Sequence, residues 1–219
     1  MYFKSRAEAG QKLAAQIVKK YQGKPCAVVA LSDGGVMVGA QIAMQLKCVL
    51  TMLLSEAIEL PRETAAVGGI TQDGAFTYNK AYSPGEIEDF VSEYYQYIEH
   101  EKMQKMQDMH RLVGRGGLIR KELLRDHNVF LVSDGLSNGF SIDIAMEFLK
   151  PIHLSRLIVA TPFASIQAVD RMHILADEIM CLNVIEEYIS TDHYYDIQDV
   201  PPHDVVVKTI EKIVAHWKE

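Results

Sequence analysis

Short apolar segments alternate with helix-like segments along most of the chain, and this alternation restricts the fold more than any other feature of the sequence. The segment CAVVALS begins at Cys26 and is followed by GGVMVGAQIAMQL; NVFLVS begins at Asn128 and is followed by SIDIAMEFL. Buried strands separated by crossover helices form parallel sheets that are covered on both faces. We therefore predict an α/β, Rossmann-like fold with a central parallel sheet flanked by helices.

The alternation is interrupted by an insertion at about residues 65–117. The segment AAVGGITQDGAFTYN, residues 65–79, has strand-forming residues on both sides of an Asp-Gly pair, which is typical of a two-residue hairpin turn. A long, charged, helix-like stretch follows and ends near Leu112. We predict one domain, residues 1–219, that carries an inserted β-hairpin and a helical arm.

Composition excludes several classes of protein. The formal net charge of −7 argues against duplex DNA or an anionic membrane as the main partner. No apolar run approaches the roughly 20 residues of a membrane span. The three cysteines, Cys26, Cys48 and Cys181, lie far apart and form no CxxC pair. We therefore expect reduced thiols, no structural zinc and a cytoplasmic protein.

The segment VFLVSDGLSNGFSIDIAMEFL, residues 129–149, contains the main candidate site. In parallel α/β sheets, ligands bind beyond the carboxyl ends of the strands, where Asp134 lies. A small polar loop then leads into a helix, whose N-terminal N–H groups suit a phosphate. The predicted phosphate-binding residues are Gly135, Ser137, Asn138, Gly139 and Ser141.

Asp134 itself can accept hydrogen bonds from sugar hydroxyls or hold a divalent cation through oxygen. One turn could therefore hold a sugar phosphate, with the anion on the loop and the ribose on the aspartate. An ordinary strand-to-helix turn with Ser141 as the N-cap accounts for the residues equally well.

Several segments, in their order along the chain, resemble the type I phosphoribosyltransferases. The resemblance extends from about Ser5 to Leu182 and is greatest to uncharacterised bacterial members with an ALPRGGV-type first loop. The segments that carry it are SRAEAGQKLAA (5–15), VVALSDGGVMVGAQIA (28–43), AVGGITQDGAFTYN (66–79), the strand–acid–loop–helix at 129–149 and ADEIMCL (176–182).

The resemblance implies a reaction and a role for each loop. In that family a nitrogen acceptor displaces pyrophosphate from phosphoribosyl pyrophosphate (PRPP), with Mg²⁺ bound. Asp134 would be the catalytic residue that holds the ribose hydroxyls, and loop 137–141 would hold the 5′-phosphate. The first loop would face pyrophosphate; its residues are Ser32, Asp33, Gly34 and Gly35.

Three positions depart from the family pattern. Ser133 stands where a second acid is usual, Asp33 where an arginine is usual, and Phe140 where a small residue is usual. Two like charges about 4 Å apart repel by roughly 4 kcal/mol at an effective dielectric near 20, so Asp33 opposes pyrophosphate. Either a Mg²⁺ shared by Asp33 and Asp134 converts this repulsion into coordination, or the site is relaxed or redirected.

Two functions therefore stay open. The chain is either a phosphoribosyltransferase of nucleotide metabolism or a non-catalytic protein that binds a nucleotide or sugar phosphate. Both functions imply a small phosphate ligand and no nucleic acid. The sequence does not specify a nitrogen acceptor.

Three further segments also have predicted roles. Met103, Met106 and Met109 form an apolar stripe, which we expect to face the core or a homodimer partner rather than to form a lid. The basic GRGG segment at 114–117 is either a solvated loop or an anion-binding arm. The segment TDHYYDIQD, 191–199, is expected to cover the site from the C-terminal side.

Overall fold

The computed structural model of the protein describes residues 2–113, 119 and 121–215, so the GRGG segment lies outside the described residues. The helical arm is present as one long helix, interrupted at Tyr94, whose φ and ψ are −115° and 18°. The helices and strands are α1 (Arg6–Tyr21), β1 (Cys26–Ala30), α2 (Asp33–Leu46), β2 (Val49–Met52), β3 (Ser55–Ile58), β4 (Gly68–Thr71), β5 (Phe76–Tyr78), α3 (Pro84–Val113), β6 (Asn128–Val132), α4 (Phe140–Leu149), β7 (Arg156–Ser165), α5 (Ile166–Leu175), β8 (Glu178–Ile185) and α6 (His203–Ala215).

The contacts divide the chain into two compact units. The first contains Met1–Leu53, Ile119–Gly139 and Ile152–Glu219, and the second contains Leu54–Leu118 and Phe140–Pro151. The second unit therefore begins before the predicted insertion. It also takes in helix α4. The single domain over the whole chain stays a prediction.

A five-stranded parallel sheet forms the centre of the first unit and confirms the predicted fold class. Its strand order is β2-β1-β6-β7-β8, and every neighbouring pair is parallel. Strand β1 is buried along its whole length, which suits its uniformly apolar sequence. Ala30 pairs with Val132 at the ends of β1 and β6, so the residues that follow these strands emerge at the same edge.

The predicted pyrophosphate loop is mostly the first turn of α2. Ser32 is the N-cap, because its hydroxyl accepts a hydrogen bond from the N–H of Gly35 at 2.9 Å. Asp33, Gly34 and Gly35 already belong to the helix. An acid in this turn is stabilised by the helix dipole, which is a structural reason for Asp33.

A three-stranded antiparallel sheet, in the order β3-β4-β5, belongs to the second unit. Its β4–β5 pair confirms the predicted hairpin. The turn is longer than the predicted two residues: the N–H of Thr71 donates to the carbonyl of Ala75, and that of Gly74 donates to the carbonyl of Thr71, both at 2.9 Å. Gly74 has φ +87°, which a three-residue connection of this kind requires.

The methionine stripe of α3 faces the core of the second unit along part of its length. Met109 is buried with Ile58, Ile70 and Ile98, and Met106 packs against the same cluster. Met103 is 62% exposed. The core-facing interpretation is therefore right for two of the three residues. Within the described ranges, no helix combines the length and the apolar character needed to cross a membrane.

The cysteines have the environments of structural rather than reactive thiols. Burial raises the pKa of Cys26 to about 11 and that of Cys48 to about 12, so both stay protonated near neutral pH. Cys181 is half-buried, and burial raises its pKa as well. These thiols are poor nucleophiles and poor metal ligands.

Candidate functional site

Asp33 and Asp134 lie at the carboxyl ends of adjacent strands, as predicted. Asp33 comes three residues after β1 and Asp134 two residues after β6. Ser32 connects the two loops, because its hydroxyl donates to Oδ1 of Asp134 at 2.9 Å. The two predicted loops of the first unit therefore meet at one edge of the sheet.

Arg6 binds Asp134, and sequence reasoning missed it. The guanidinium Nε donates to Oδ2 of Asp134 at 2.8 Å. Arg6 is 2% exposed and Asp134 is 8% exposed. Both carboxylate oxygens of Asp134 are therefore engaged, one by Ser32 and one by Arg6.

The guanidinium of Arg6 also binds two acids of the segment that follows β8. Its NH2 group donates to Asp192, and its NH1 group lies 3.4 Å from Oδ1 of Asp199. Its carbon lies 4.4 Å from the centre of the Tyr195 ring. Burial alone would lower the pKa of Arg6, but the hydrogen bonds to Asp134 and Asp192 outweigh it and raise that pKa above its usual value. Arg6 is therefore a permanent cation.

The segment 188–199 packs beside Asp134, in the first unit. The hydroxyl of Tyr195 donates to the backbone carbonyl of Asp134 at 2.6 Å. A Cβ on Gly135 would lie 2.6 Å from the hydroxyl of Tyr188 and 3.0 Å from Thr191 Cγ2, so only glycine fits there. This geometry agrees with the prediction that residues 191–199 cover the site.

We expect Tyr195→Phe to lower the free energy of unfolding by about 1–3 kcal/mol, because it leaves the carbonyl of Asp134 without its buried donor. Urea denaturation would measure the change. The matched control is Tyr82→Phe, which removes a hydroxyl that donates to Ala65 at an exposed position. Equal effects of the two changes would contradict a special role for the Tyr195 hydroxyl.

Asp33 has a partner on α6 that the sequence did not reveal. Nδ1 of His203 lies 2.8 Å from Oδ1 of Asp33, and both side chains are half-buried. Because a carboxylate accepts, the proton of this bond belongs to Nδ1. Nε2 of His203 is buried and has no hydrogen-bond partner in the described part of the chain.

The predicted phosphate loop has two exposed residues, Ser137 and Asn138. The carbonyl of Ser137 accepts a hydrogen bond from the hydroxyl of Ser165, which fixes the loop to the end of β7. Gly139 has φ +75°, and a Cβ there would lie 2.9 Å from Cβ of Arg171. Glycine is therefore required at 139 by the backbone and by α5, whether or not a ligand binds.

The remaining predicted phosphate ligand, Ser141, belongs to the second unit with α4. That helix begins at Phe140, so Ser141 lies inside the first turn and the alternative that made it the N-cap is wrong. The ring of Phe140 lies against Gly69 of the same unit, since a Cβ on Gly69 would be 3.4 Å from its Cζ. Packing within the second unit therefore explains this bulky departure from the family pattern.

Ser133 has a structural role where the family has an acid. Its hydroxyl donates to the carbonyl of Gly135 at 2.8 Å and accepts from the N–H of the same residue at 3.3 Å. The residue is buried. Ser133 therefore stabilises the turn after β6 rather than pointing a polar group toward solvent.

Asp33 and Asp134, which were predicted to share a Mg²⁺, each already have a partner of their own. Asp134 is bonded to a guanidinium and Asp33 to His203. The guanidinium of Arg6 on Asp134 repels a metal ion, so the shared Mg²⁺ stays a prediction that this contact does not favour. Residues 2–113, 119 and 121–215 contain no group of three or more His, Cys, Asp or Glu side chains placed to hold a metal.

Comparison with known proteins gives the family. The family model described as "Phosphoribosyl transferase domain" matches residues 3–201. The chain belongs to the phosphoribosyltransferase family. This confirms the resemblance found in the sequence and the α/β fold that the resemblance implied.

The individual relatives have low sequence identity to this chain. A Mycobacterium tuberculosis protein described as a candidate phosphoribosyl transferase is 27% identical over 182 residues, which are 82% of this chain and 40% of that protein. The chain thus spans less than half the length of this curated relative. The solved structure of TT1426 from Thermus thermophilus has a TM-score of 0.73 at 22% identity and covers 97% of this chain and 99% of its own.

A purine phosphoribosyltransferase from Pyrococcus horikoshii has a TM-score of 0.50 at 10% identity, with 91% and 95% of the two chains covered. Likeness at these identities shows the shared fold alone. The shared fold does not give the substrate or the activity of this chain, which depend on its own site residues.

Proposed function

We propose that the protein binds a ribose 5-phosphate group, as part of a nucleotide or sugar phosphate, without binding pyrophosphate. The supporting observation is the negative charge of Asp33 in the first loop. Asp33 stands in the first turn of α2, where the resemblance implied a cation facing pyrophosphate. A pyrophosphate group brought within about 4 Å of Asp33 would be repelled by roughly 4 kcal/mol at an effective dielectric near 20.

The second predicted loop keeps features that suit a single phosphate. Ser137 and Asn138 are exposed and can donate from side chain and backbone. Asp134 has both oxygens engaged, but each carboxylate oxygen can accept more than one hydrogen bond. It can therefore still receive a ribose hydroxyl without giving up Arg6.

Phosphoribosyl transfer from PRPP is the second candidate, and membership of the family favours it. In that reaction an acceptor nitrogen forms a bond to the anomeric carbon while the bond to pyrophosphate breaks. Stabilisation of the departing pyrophosphate is the main task of the site. This candidate function requires PRPP and Mg²⁺ as ligands and a nitrogen atom as the acceptor. A cytoplasmic location stays a prediction common to both.

Isothermal titration of the protein with ribose 5-phosphate, a nucleoside monophosphate, pyrophosphate and PRPP separates the candidates. We expect the first two to bind and pyrophosphate not to bind. Asn138→Asp keeps the shape of the side chain but places a negative charge on the loop, so it should weaken the monophosphate about tenfold or more.

Gln104→Glu on the exposed surface of α3 is the matched control, because it changes the net charge by the same amount. Equal monophosphate affinity in Asn138→Asp and the parent would remove the loop from the binding site. Tight binding of pyrophosphate and PRPP, with turnover of PRPP on an acceptor, would establish transfer instead.

A further inference from the structure

We propose that a pocket at the amino ends of β1, β6 and β7 binds a phosphate group, either as the free ion or as part of a small monoester. The pocket lies within the first unit, at the edge of the sheet opposite to Asp134. Its volume is about 490 Å³, which is in the range of small-molecule sites. Its polar lining residues are Lys20, Tyr21, Lys24, Asn128, Ser155 and Arg156. The inference does not depend on the proposed function, which concerns the carboxyl edge of the sheet.

The charges that line the pocket favour an anion. Among the described residues around it, Lys20, Lys24 and Arg156 are cations and none is an acid. All three side chains are exposed enough to reach a ligand. The chain as a whole has a formal net charge of −7, so composition does not explain the cluster. Cations that share a concave surface repel one another, and a bound anion offsets that repulsion.

Glu178 binds two of these cations but does not balance all three. Its Oε2 accepts from Nζ of Lys20 and from the hydroxyl of Tyr21, and it lies 3.4 Å from NH1 of Arg156. Burial alone would raise the pKa of Glu178, but the hydrogen bonds from Lys20 and Tyr21 outweigh it and lower that pKa, so the residue is a carboxylate. Three positive charges and one negative charge leave an excess of two. A phosphate monoester carries nearly two negative charges at neutral pH and matches this excess.

Lys24 separates the pocket from an ordinary network of surface ion pairs. Its ammonium lies 5.1 Å from the centre of the Tyr21 ring and takes no part in the ion pairs of Glu178. Helix α1 ends at Tyr21, so the dipole of the helix explains a lysine at position 20. It explains neither a lysine beyond the helix nor the arginine at the start of β7. A ligand that joins these cations accounts for both.

The backbone and the neutral side chains of the pocket are compatible with phosphate. The carbonyl of Tyr21 accepts from the N–H of Lys24 at 3.1 Å, and that of Pro25 accepts from the N–H of Asn128 at 2.9 Å. Donors therefore already occupy these carbonyls, which reduces their repulsion of an anion. Ser155 is exposed, and its hydroxyl can donate to a phosphate oxygen beside the charged donors.

The experiment follows the amide proton–nitrogen correlation spectrum while glycerol 3-phosphate is added to the parent, Lys24→Gln and Lys208→Gln. Lys208 is exposed on α6 and pairs with Asp204, so its replacement changes the net charge equally outside the pocket. We expect the signals of Asn128 and Ser155 to shift in the parent and in Lys208→Gln with equal affinity. The affinity at these signals should fall about tenfold in Lys24→Gln, because one charge-assisted hydrogen bond is lost.

Two further ligands identify the chemistry and its source. Inorganic phosphate should shift the same signals; tighter binding of glycerol 3-phosphate would support a monoester as the ligand, and equal binding would support the free ion. Succinate, a dianion without a phosphate group, should bind at least about tenfold more weakly, because its two charges lie on separate carboxylates. Shifts of Ser137 and Asn138 report on the proposed function and are read separately.

Circular dichroism confirms the fold of Lys24→Gln, whose exposed side chain is not part of the core. Signals of Asn128 and Ser155 that stay in place at millimolar glycerol 3-phosphate would overturn the proposal. So would equal affinity of the parent and Lys24→Gln, or succinate that binds as tightly as phosphate.

Discussion

Gly34→Ala is expected to lower the free energy of unfolding by about 3 kcal/mol or more. A Cβ at position 34 would lie 2.0 Å from Oδ2 of Asp134 and 2.8 Å from Nε of Arg6. The variant can relieve this overlap only by moving Asp134 or the first turn of α2. Either movement separates a buried ion pair, and breaking such a pair typically costs about 3–5 kcal/mol.

Gly85→Ala is the matched control, because Gly85 is likewise the second residue of a helix. A Cβ there would meet nothing within 4 Å. Alanine is the better helix former, so this change should leave stability unaltered or raise it by up to about 1 kcal/mol. Urea denaturation measures both. A Gly34→Ala protein as stable as the parent would mean that Asp134 and Arg6 can separate without cost.

The central sheet and the meeting of its two loops could be predicted because their signals are local. A fully apolar strand such as β1, followed by a capped helix, is recognisable within a few residues. Parallel order then places Asp33 and Asp134 at one edge without further information. The order of the other segments along the chain could be predicted from the resemblance to the family, whose model matches residues 3–201.

The start of strand β3 has no signal in the sequence. The segment CVLTMLLS, residues 48–55, is almost continuously apolar and by itself predicts one strand, but β2 ends at Met52 and β3 begins at Ser55 in the other sheet. The hydrophobic pattern of a continuous apolar run does not show where one strand ends and the next begins in another sheet.

The partners of the site residues could not be predicted, because they are distant in sequence. Arg6 lies 128 residues from Asp134 and 193 from Asp199, and 170 residues separate Asp33 from His203. An arginine at the start of an amphipathic helix is normally predicted to be exposed to solvent. No spacing rule indicates that this one is buried among acids.

Asp33→Arg is expected to strengthen pyrophosphate binding about a hundredfold. The change removes a repulsion of a few kcal/mol and adds an attraction, and each 1.4 kcal/mol corresponds to a factor of ten in affinity. It also separates His203 from its partner and places a cation at the start of α2, which costs about 0.3–1 kcal/mol in stability. Asp33→Asn removes only the negative charge and should give about a tenfold gain.

Ser133, the second departure from the family pattern, should not be changed to aspartate in the Asp33→Arg variant. Ser133 is buried, and its hydroxyl makes both of its hydrogen bonds with Gly135. An aspartate there would bury a second carboxylate beside Asp134, so Ser133→Asp is expected to destabilise the fold rather than to improve the site. Position 33 can therefore be tested alone.

Calorimetric titration with pyrophosphate and with PRPP checks the prediction for Asp33→Arg, and circular dichroism confirms that the fold is retained. Tighter pyrophosphate binding without turnover of PRPP would show that the charge of the first loop is one obstacle to transfer and that another remains. Unchanged pyrophosphate affinity in a folded variant would show that Asp33 does not face the ligand. Weaker PRPP binding would mean that Asp33 is itself a ligand-binding residue, and the site would then be redirected rather than relaxed.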